Sequence, residues 1–274
     1  MSALSSGLAK TGAFVRRDFL EDISYHFAFL TQAVGLFVSV VTFFFMGRIF
    51  GGAVAPYLKP YGGDYFAFAL VGIAFSGFQT VALQGFASSV RSAQMLGTLE
   101  ALLVTPTSIP VIIVSSVVYR LINTVFRTGV YLVLGSLVFG MSLGRANYLG
   151  GLVVLLLTLT SFSSAGVMAA AAVMIFKKSD PMDFFFGNVS RLVSGVFFPV
   201  TVFPHWLQHV AWALPLTHAL EGVRLTLLTG ASLRSITGSL VYLVVFSLVA
   251  LPVSTVVFRY AVAHAKTNGT LVHY

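Results

Sequence analysis

The sequence predicts an all-α membrane protein. Six transmembrane helices are expected, with an N-terminal amphipathic interfacial helix, a short cytoplasmic helix after span two and a re-entrant helical hairpin between spans five and six. Three observations predict this. Of 274 residues, 57% are hydrophobic and only 9% charged, whereas soluble domains carry roughly a quarter charged residues. Apolar stretches long enough to cross a bilayer recur, separated by short polar or Gly/Pro-rich turns. Cations stand singly or in pairs at the ends of those stretches, the pattern that sets membrane topology.

Residues 8–22 hold Leu8, Phe14, Val15, Phe19 and Leu20 beside Lys10, Arg16, Arg17, Asp18, Glu21 and Asp22. They are too polar to span and read as a helix in the interface; the plain alternative is a flanking segment. Residues 23–47 lack Asp, Glu, Lys and Arg, form span one and end at Arg48. No signal-peptide core precedes Arg16, so span one is expected to act as its own insertion signal. The loop 51–64, with glycine pairs, Pro56 and Pro60, reads as irregular. Tyr57, Tyr61 and Tyr65 suit an interfacial aromatic belt. Span two is the uncharged run 65–90.

Residues 91–106 interrupt this apolar chain with one cation, Arg91, and one anion, Glu100. Leu96, Leu99 and Leu103 share a helical face, and Pro106 stops the pattern. A short amphipathic helix at the membrane surface suits docking onto a soluble partner; the bland reading is an interfacial loop. Span three covers 111–140 and carries Arg120 and Arg127. Span four covers 149–176 and ends at Lys177 and Lys178. Span five covers 184–200 and holds Arg191. The segment 201–230 is apolar but broken by Pro204 and Pro215, with Pro199 just before it. Two short helices that dip into the outer leaflet and return fit better than a straight span. Span six covers 235–258.

With the N-terminus inside, Lys10, Arg16, Arg17, Arg91, Lys177, Lys178, Arg259 and Lys266 fall on the inner side. Arg48, Lys59, Arg145, Arg224 and Arg234 fall outside. Both termini and residues 91–106 are then cytoplasmic. The net charge of +8 is spread over span ends, which favours topology and lipid headgroups over nucleic acid. Cysteine is absent, so disulfides and thiolate metal sites are excluded. No GxxxxGK[ST] run is present, and short loops leave no room for a built-in ATPase. Nucleotide energy, if used, must come from a partner.

Two passages carry a family resemblance. Gly97–Pro106, GTLEALLVTP, is similar to the cytoplasmic loop of ABC-2 type exporter permeases. Phe197–Phe198–Pro199, then Phe203–Pro204 and Trp206–Leu207, then Leu214–Pro215–Leu216–Thr217–His218 through Glu221 and Arg224, resemble the block between that family's spans five and six. The resemblance covers the whole chain in order and spacing. It implies a non-catalytic membrane subunit that works as a homodimer, or as a heterodimer with a paralogous permease, with two cytoplasmic ATPase subunits. ATP and Mg would be bound by those partners, and this chain would hold no cofactor. Residues 91–106 would be the coupling helix, with Arg91, Leu96, Leu99, Glu100, Leu103 and Pro106 facing the ATPase.

On the remaining residues two readings stand side by side. Arg127 and Arg191 either meet an anionic group of the cargo, or snorkel to the inner interface or pair with Asp180 or Asp183; for Arg120 the second reading, snorkelling or pairing, is favoured. Phe197, Phe198, Pro199, Phe203, Pro204 and Trp206 are outer-gate candidates. Glu221 and Arg224, three apart, are expected to pair with each other. His205, His209 and His218 read as interfacial polar tips, since zinc wants further ligands. The expected function is the membrane half of an ATP-driven exporter in a bacterial-type cytoplasmic membrane, moving an amphiphile outward: a lipid, a lipid-linked glycan or polysaccharide, or a hydrophobic drug. The alternatives are an ATP-independent channel and an intramembrane protease built on Ser161, Ser163 or Ser164. No filter sequence and no GxSG motif supports either.

Overall fold

The computed structural model describes residues 12, 16, 19, 20, 26–95, 109–176 and 187–267. Among these there is no strand. The long helices are α1 (His26–Leu58), α2 (Tyr65–Met95), α3 (Ile109–Leu137), α4 (Tyr148–Phe176) and, last in the chain, α8 (Thr237–Thr267). Between α4 and α8 lie three short ones: α5 (Ser190–Val193), α6 (His205–Trp212) and α7 (Pro215–Thr229). Among the described residues five helices are long and apolar enough to cross a membrane. The span expected over 184–200 lies partly outside the described residues. Its described part contains α5, a single turn that stops before Gly195, whose φ is +82°.

Helix α2 is the centre of the bundle. Of its apolar window 78% is buried, against 11% for α1. It packs against α3 and α4, while α4 also carries α8, and α7 rests on α2, α4 and α8. The shared core includes Leu70, Phe78, Val154, Phe162, Leu220 and Val223. Within lipid there is little hydrophobic force between helices, so close backbone approach and interhelical hydrogen bonds hold them together. Gly166 provides the approach of α4 to α2: a Cβ there would run into the carbonyl oxygen of Ala82 and the ring of Phe86. Between α4 and α8 the Ser161 hydroxyl donates to the Leu243 carbonyl at 3.3 Å and lies 2.8 Å from Ser247 Oγ. The Ser164 hydroxyl donates to the carbonyl of Ser161. Of the serines of the protease alternative, Ser161 is thus engaged between helices and Ser164 within its own helix.

Some boundaries differ from the sequence reading. Helix α1 continues through 51–58, where the glycine pair and Pro56 predict a loop. A proline in the last turn removes one intrahelical bond and leaves the rest intact, so an apolar helix continues past it. The chain then turns through a 3₁₀ segment at Lys59–Tyr61 and two left-handed glycines, Gly62 (φ +92°) and Gly63 (φ +80°). Asp64 starts α2 by accepting the Phe66 N–H at 2.9 Å. At the other end α2 runs unbroken to Met95, so Arg91 belongs to its final turns.

Candidate functional site

The proline-broken segment after α5 folds as a compact hairpin. Pro199 precedes a 3₁₀ turn, Val200–Val202. Pro204, at φ −56° and ψ 149°, is the N-cap of α6, and its carbonyl accepts the N–H groups of Leu207 and Gln208. Proline suits this position because its fixed φ sets the entry angle. The Gln208 amide donates back to the Phe203 carbonyl at 2.8 Å. Pro215 opens α7 at its first turn, where its missing N–H is not needed. Thr217 bridges the two short helices by donating to the Ala211 carbonyl at 2.5 Å. Helix α7 ends at Gly230 (φ +71°), whose N–H, like that of Ala231, is donated to the Leu225 carbonyl.

The hairpin is fastened to the bundle at three places. The His218 ring stacks on Tyr242 of α8, centroids 3.8 Å apart, and its Nε2 lies 2.9 Å from the Trp212 carbonyl. The Tyr242 hydroxyl donates to the Ala213 carbonyl at 2.7 Å. Asn147, before α4, gives its N–H to Thr226 and its side-chain amide to Ala231. The deepest fastening is Arg224, only 3% exposed. Its Nε donates to the Phe68 carbonyl at 3.2 Å, Nη1 to Gly195 at 2.9 Å and Nη2 to Val196 at 2.8 Å. Its guanidinium carbon lies 3.4 Å from the centroid of the Phe68 ring, a cation–π contact.

Each partner of Arg224 has a local reason. Gly195 and Val196 follow the end of α5, where carbonyls have left the helical ladder and need donors. Gly72 on α2 makes the room: a Cβ there would overlap both Arg224 Nη2 and the Val196 carbonyl oxygen. One guanidinium therefore ties α7, α2 and the break after α5 together. Burial pulls Arg224 down to about 9, with Tyr61, Glu221 and Tyr65 opposing, so it remains a cation at neutral pH. Glu221 accepts the Tyr61 hydroxyl. Its carboxyl is pushed above the usual range by burial, while the Tyr61 bond and the charge of Arg224 act the other way.

The direct pair expected between Glu221 and Arg224 is thus replaced by separate partners, Tyr61 for one and backbone carbonyls for the other. The two still attract through space. Three residues apart on one helix brings two side chains near each other, but three carbonyls, two of them past the end of α5, offer a guanidinium more donor–acceptor matches than one carboxylate.

The outer-gate candidates divide. Phe197 stacks on Phe43 of α1, centroids 5.9 Å apart and nearly parallel. Pro199 is buried, and Phe203 packs against the small core of Val193, Val200 and Ala211. Phe198 and Trp206 are exposed, Trp206 by 68%, and Pro204 is exposed beside them. Arg127 is exposed on α3 and Arg191 half-buried on α5. Arg120 donates to the Ser88 hydroxyl at 2.7 Å. Leu96, Leu99, Glu100, Leu103 and Pro106 lie outside the described residues, as does most of 8–22; Arg91 is described in its backbone only. Phe68, Gly72 and Tyr242 are site residues that the sequence reading passed over, and Tyr61, read as a belt aromatic, is the partner of Glu221. Gly72 shares its span with Gly77 and Gly85, so its glycine alone did not mark it.

The chain matches the model of the ABC-2 type transporter family over residues 10–228. No curated protein matches it. The matched region takes in the segment 91–106, the arginines of α3 and α5, and almost all of the hairpin with its buried Arg224. The match covers well over half of an integral membrane protein, and the chain belongs to the ABC-2 type transporter family, as a membrane-spanning component of an ABC transporter.

Proposed function

We propose that this protein is the transmembrane permease subunit of an ATP-driven exporter that moves an amphiphile outward across a bacterial-type cytoplasmic membrane. The observation that carries the reading is the family match, which spans both the 91–106 segment and the 197–224 block. Two copies of this chain, or one with a paralogue, assemble with two cytoplasmic ATPase subunits. ATP and Mg are held by those partners. Six spans place both termini in the cytoplasm, with 91–106 on the inner face and the hairpin on the outer.

ATP binding closes the ATPase pair, and 91–106 transmits that movement: Arg91 and Glu100 pair with partner charges while Leu96, Leu99 and Leu103 fill an apolar groove, ended by Pro106. The cycle runs only because ATP favours one conformation of the assembly over the other. At the outer side Phe197, Phe198, Pro199, Phe203, Pro204 and Trp206 form the gate. An amphiphilic cargo is favoured by the aromatic lining and by the scarcity of charge along the spans. The test is reconstitution. The permease must co-purify with a separate ATPase and raise its hydrolysis rate in proteoliposomes. Conduction without ATP would instead identify a channel, and activity lost with a single serine a protease.

A further inference from the structure

Arg120 and Arg127 on α3 and Arg191 on α5 are satisfied very differently from Arg224. Arg120 reaches Ser88 at one end of α2. Arg127 is exposed on α3. Arg191 is half-buried on α5, and its Nε is buried with no hydrogen-bond partner among the described residues. Its place along the membrane is fixed by its neighbour: Ser190 Oγ accepts the Gln79 amide at 3.0 Å. Within the span Tyr65–Ser88, Gln79 is about 21 Å along the helix from Tyr65 and about 14 Å from Ser88. Arg191 is therefore held deep between the two faces.

A guanidinium at such depth is costly unless something compensates it. The described carboxylates do not. Asp64 caps the start of α2 and Glu221 is taken by Tyr61, both at the hairpin end of the bundle. Among the described residues, the groups near Arg191 are neutral and polar: the Gln79–Ser190 bond at its chain neighbour, and Tyr131 of α3 within electrostatic reach. Thr128, one turn before Tyr131, is bonded to the Ala74 carbonyl, so α3 and α2 are in register there. Arg127 lies one turn from Tyr131 on the same side of α3. The neighbourhood provides a cation with donor capacity and neutral hydrogen-bonding groups beside it. An anionic oxygen group completes it, and phosphate suits a guanidinium through paired N–H···O bonds.

We propose that Arg191, with Gln79 and Ser190, is an intramembrane station for the phosphate headgroup of an anionic amphiphile, which narrows the cargo to phosphate-bearing lipids or lipid-linked glycans. The inference rests on reading the chain as a cargo-moving permease. Arg191 is a binding residue that holds the headgroup while the acyl portion remains among the apolar helices.

The test uses the purified permease–ATPase complex in neutral detergent, with radiolabelled dodecyl phosphate as the probe. Wild type is expected to bind it saturably and to hydrolyse ATP faster when it does. Arg191→Gln is expected to lose affinity by about tenfold or more, Arg191→Lys to retain part of it, and Arg120→Gln to match wild type. Inorganic phosphate, added alone, is expected not to compete, because the tail contributes to binding; full competition would overturn the amphiphile assignment. Equal binding by wild type and Arg191→Gln would overturn the site. Binding that leaves ATP hydrolysis unchanged would reduce the phosphate to a resident lipid and overturn the cargo claim. If only Asp180→Asn/Asp183→Asn bound the probe, those carboxylates would be the partners of Arg191, and the inference would fall. A complex that forms and hydrolyses ATP while failing these arms leaves the permease reading intact; a chain that engages no ATPase fails the reading itself.

Discussion

Arg224 Nη2 lies 2.8 Å from the carbonyl oxygen of Val196. That bond joins the second short helix of the hairpin, α7, to the break after α5. The same guanidinium reaches Phe68 and Gly195, so three separate parts of the chain share one cation. Anything that moves the hairpin must either carry α2 and the α5 break with it or release these bonds together.

Arg224→Lys is expected to destabilise the protein nearly as much as Arg224→Met. An ammonium cannot direct donors to three carbonyls in a planar fork, and each buried carbonyl left unpaired costs about 1–3 kcal/mol. Unfolding in mixed detergent micelles measures this, and a lysine variant as stable as wild type would contradict the fork geometry.

Gly72→Ala is expected to lower stability by about 1–3 kcal/mol, because the added methyl meets backbone at Val196 as well as the arginine. Gly51→Ala is the comparison. It has open space around it and should be neutral or gain up to about 1 kcal/mol from helix propensity. The same unfolding assay ranks the two, and equal effects would refute the close approach at Gly72.

Glu221 gives a pH signature. Burial raises its folded pKa above the ordinary carboxylate value, so the folded state holds its proton to higher pH than the unfolded chain does. Its stabilising contribution is full below the unfolded pKa and is lost as pH rises through the folded one. Glu221→Gln should flatten that part of the stability profile, while Tyr61→Phe should steepen the loss by removing the donor to the carboxylate. A glutamine variant with an unchanged slope would contradict this.

Much of the bundle was legible in the sequence because uncharged runs of bilayer length have few other uses. Helices α2, α3 and α4 begin within two residues of the spans read from 65–90, 111–140 and 149–176. The break into two short helices was legible through Pro204 and Pro215, which stand at the N-cap of α6 and in the first turn of α7. The partners of Arg224 were not. Backbone carbonyls at Phe68, Gly195 and Val196 have no side-chain signature, and a nearby Glu221 drew the pairing argument to itself. The termination of α1 was misplaced for a related reason: Pro56 marks a possible break, and only its distance from the helix end decides whether the break occurs.

The coupling role proposed for 91–106 is tested most directly by ATP hydrolysis in proteoliposomes holding the full permease and its ATPase. Glu100→Arg reverses the charge proposed to face the partner while leaving every described span untouched. The account predicts a variant that inserts and assembles normally but no longer stimulates ATP hydrolysis. Stimulation equal to wild type, with the same complex recovered, would contradict it.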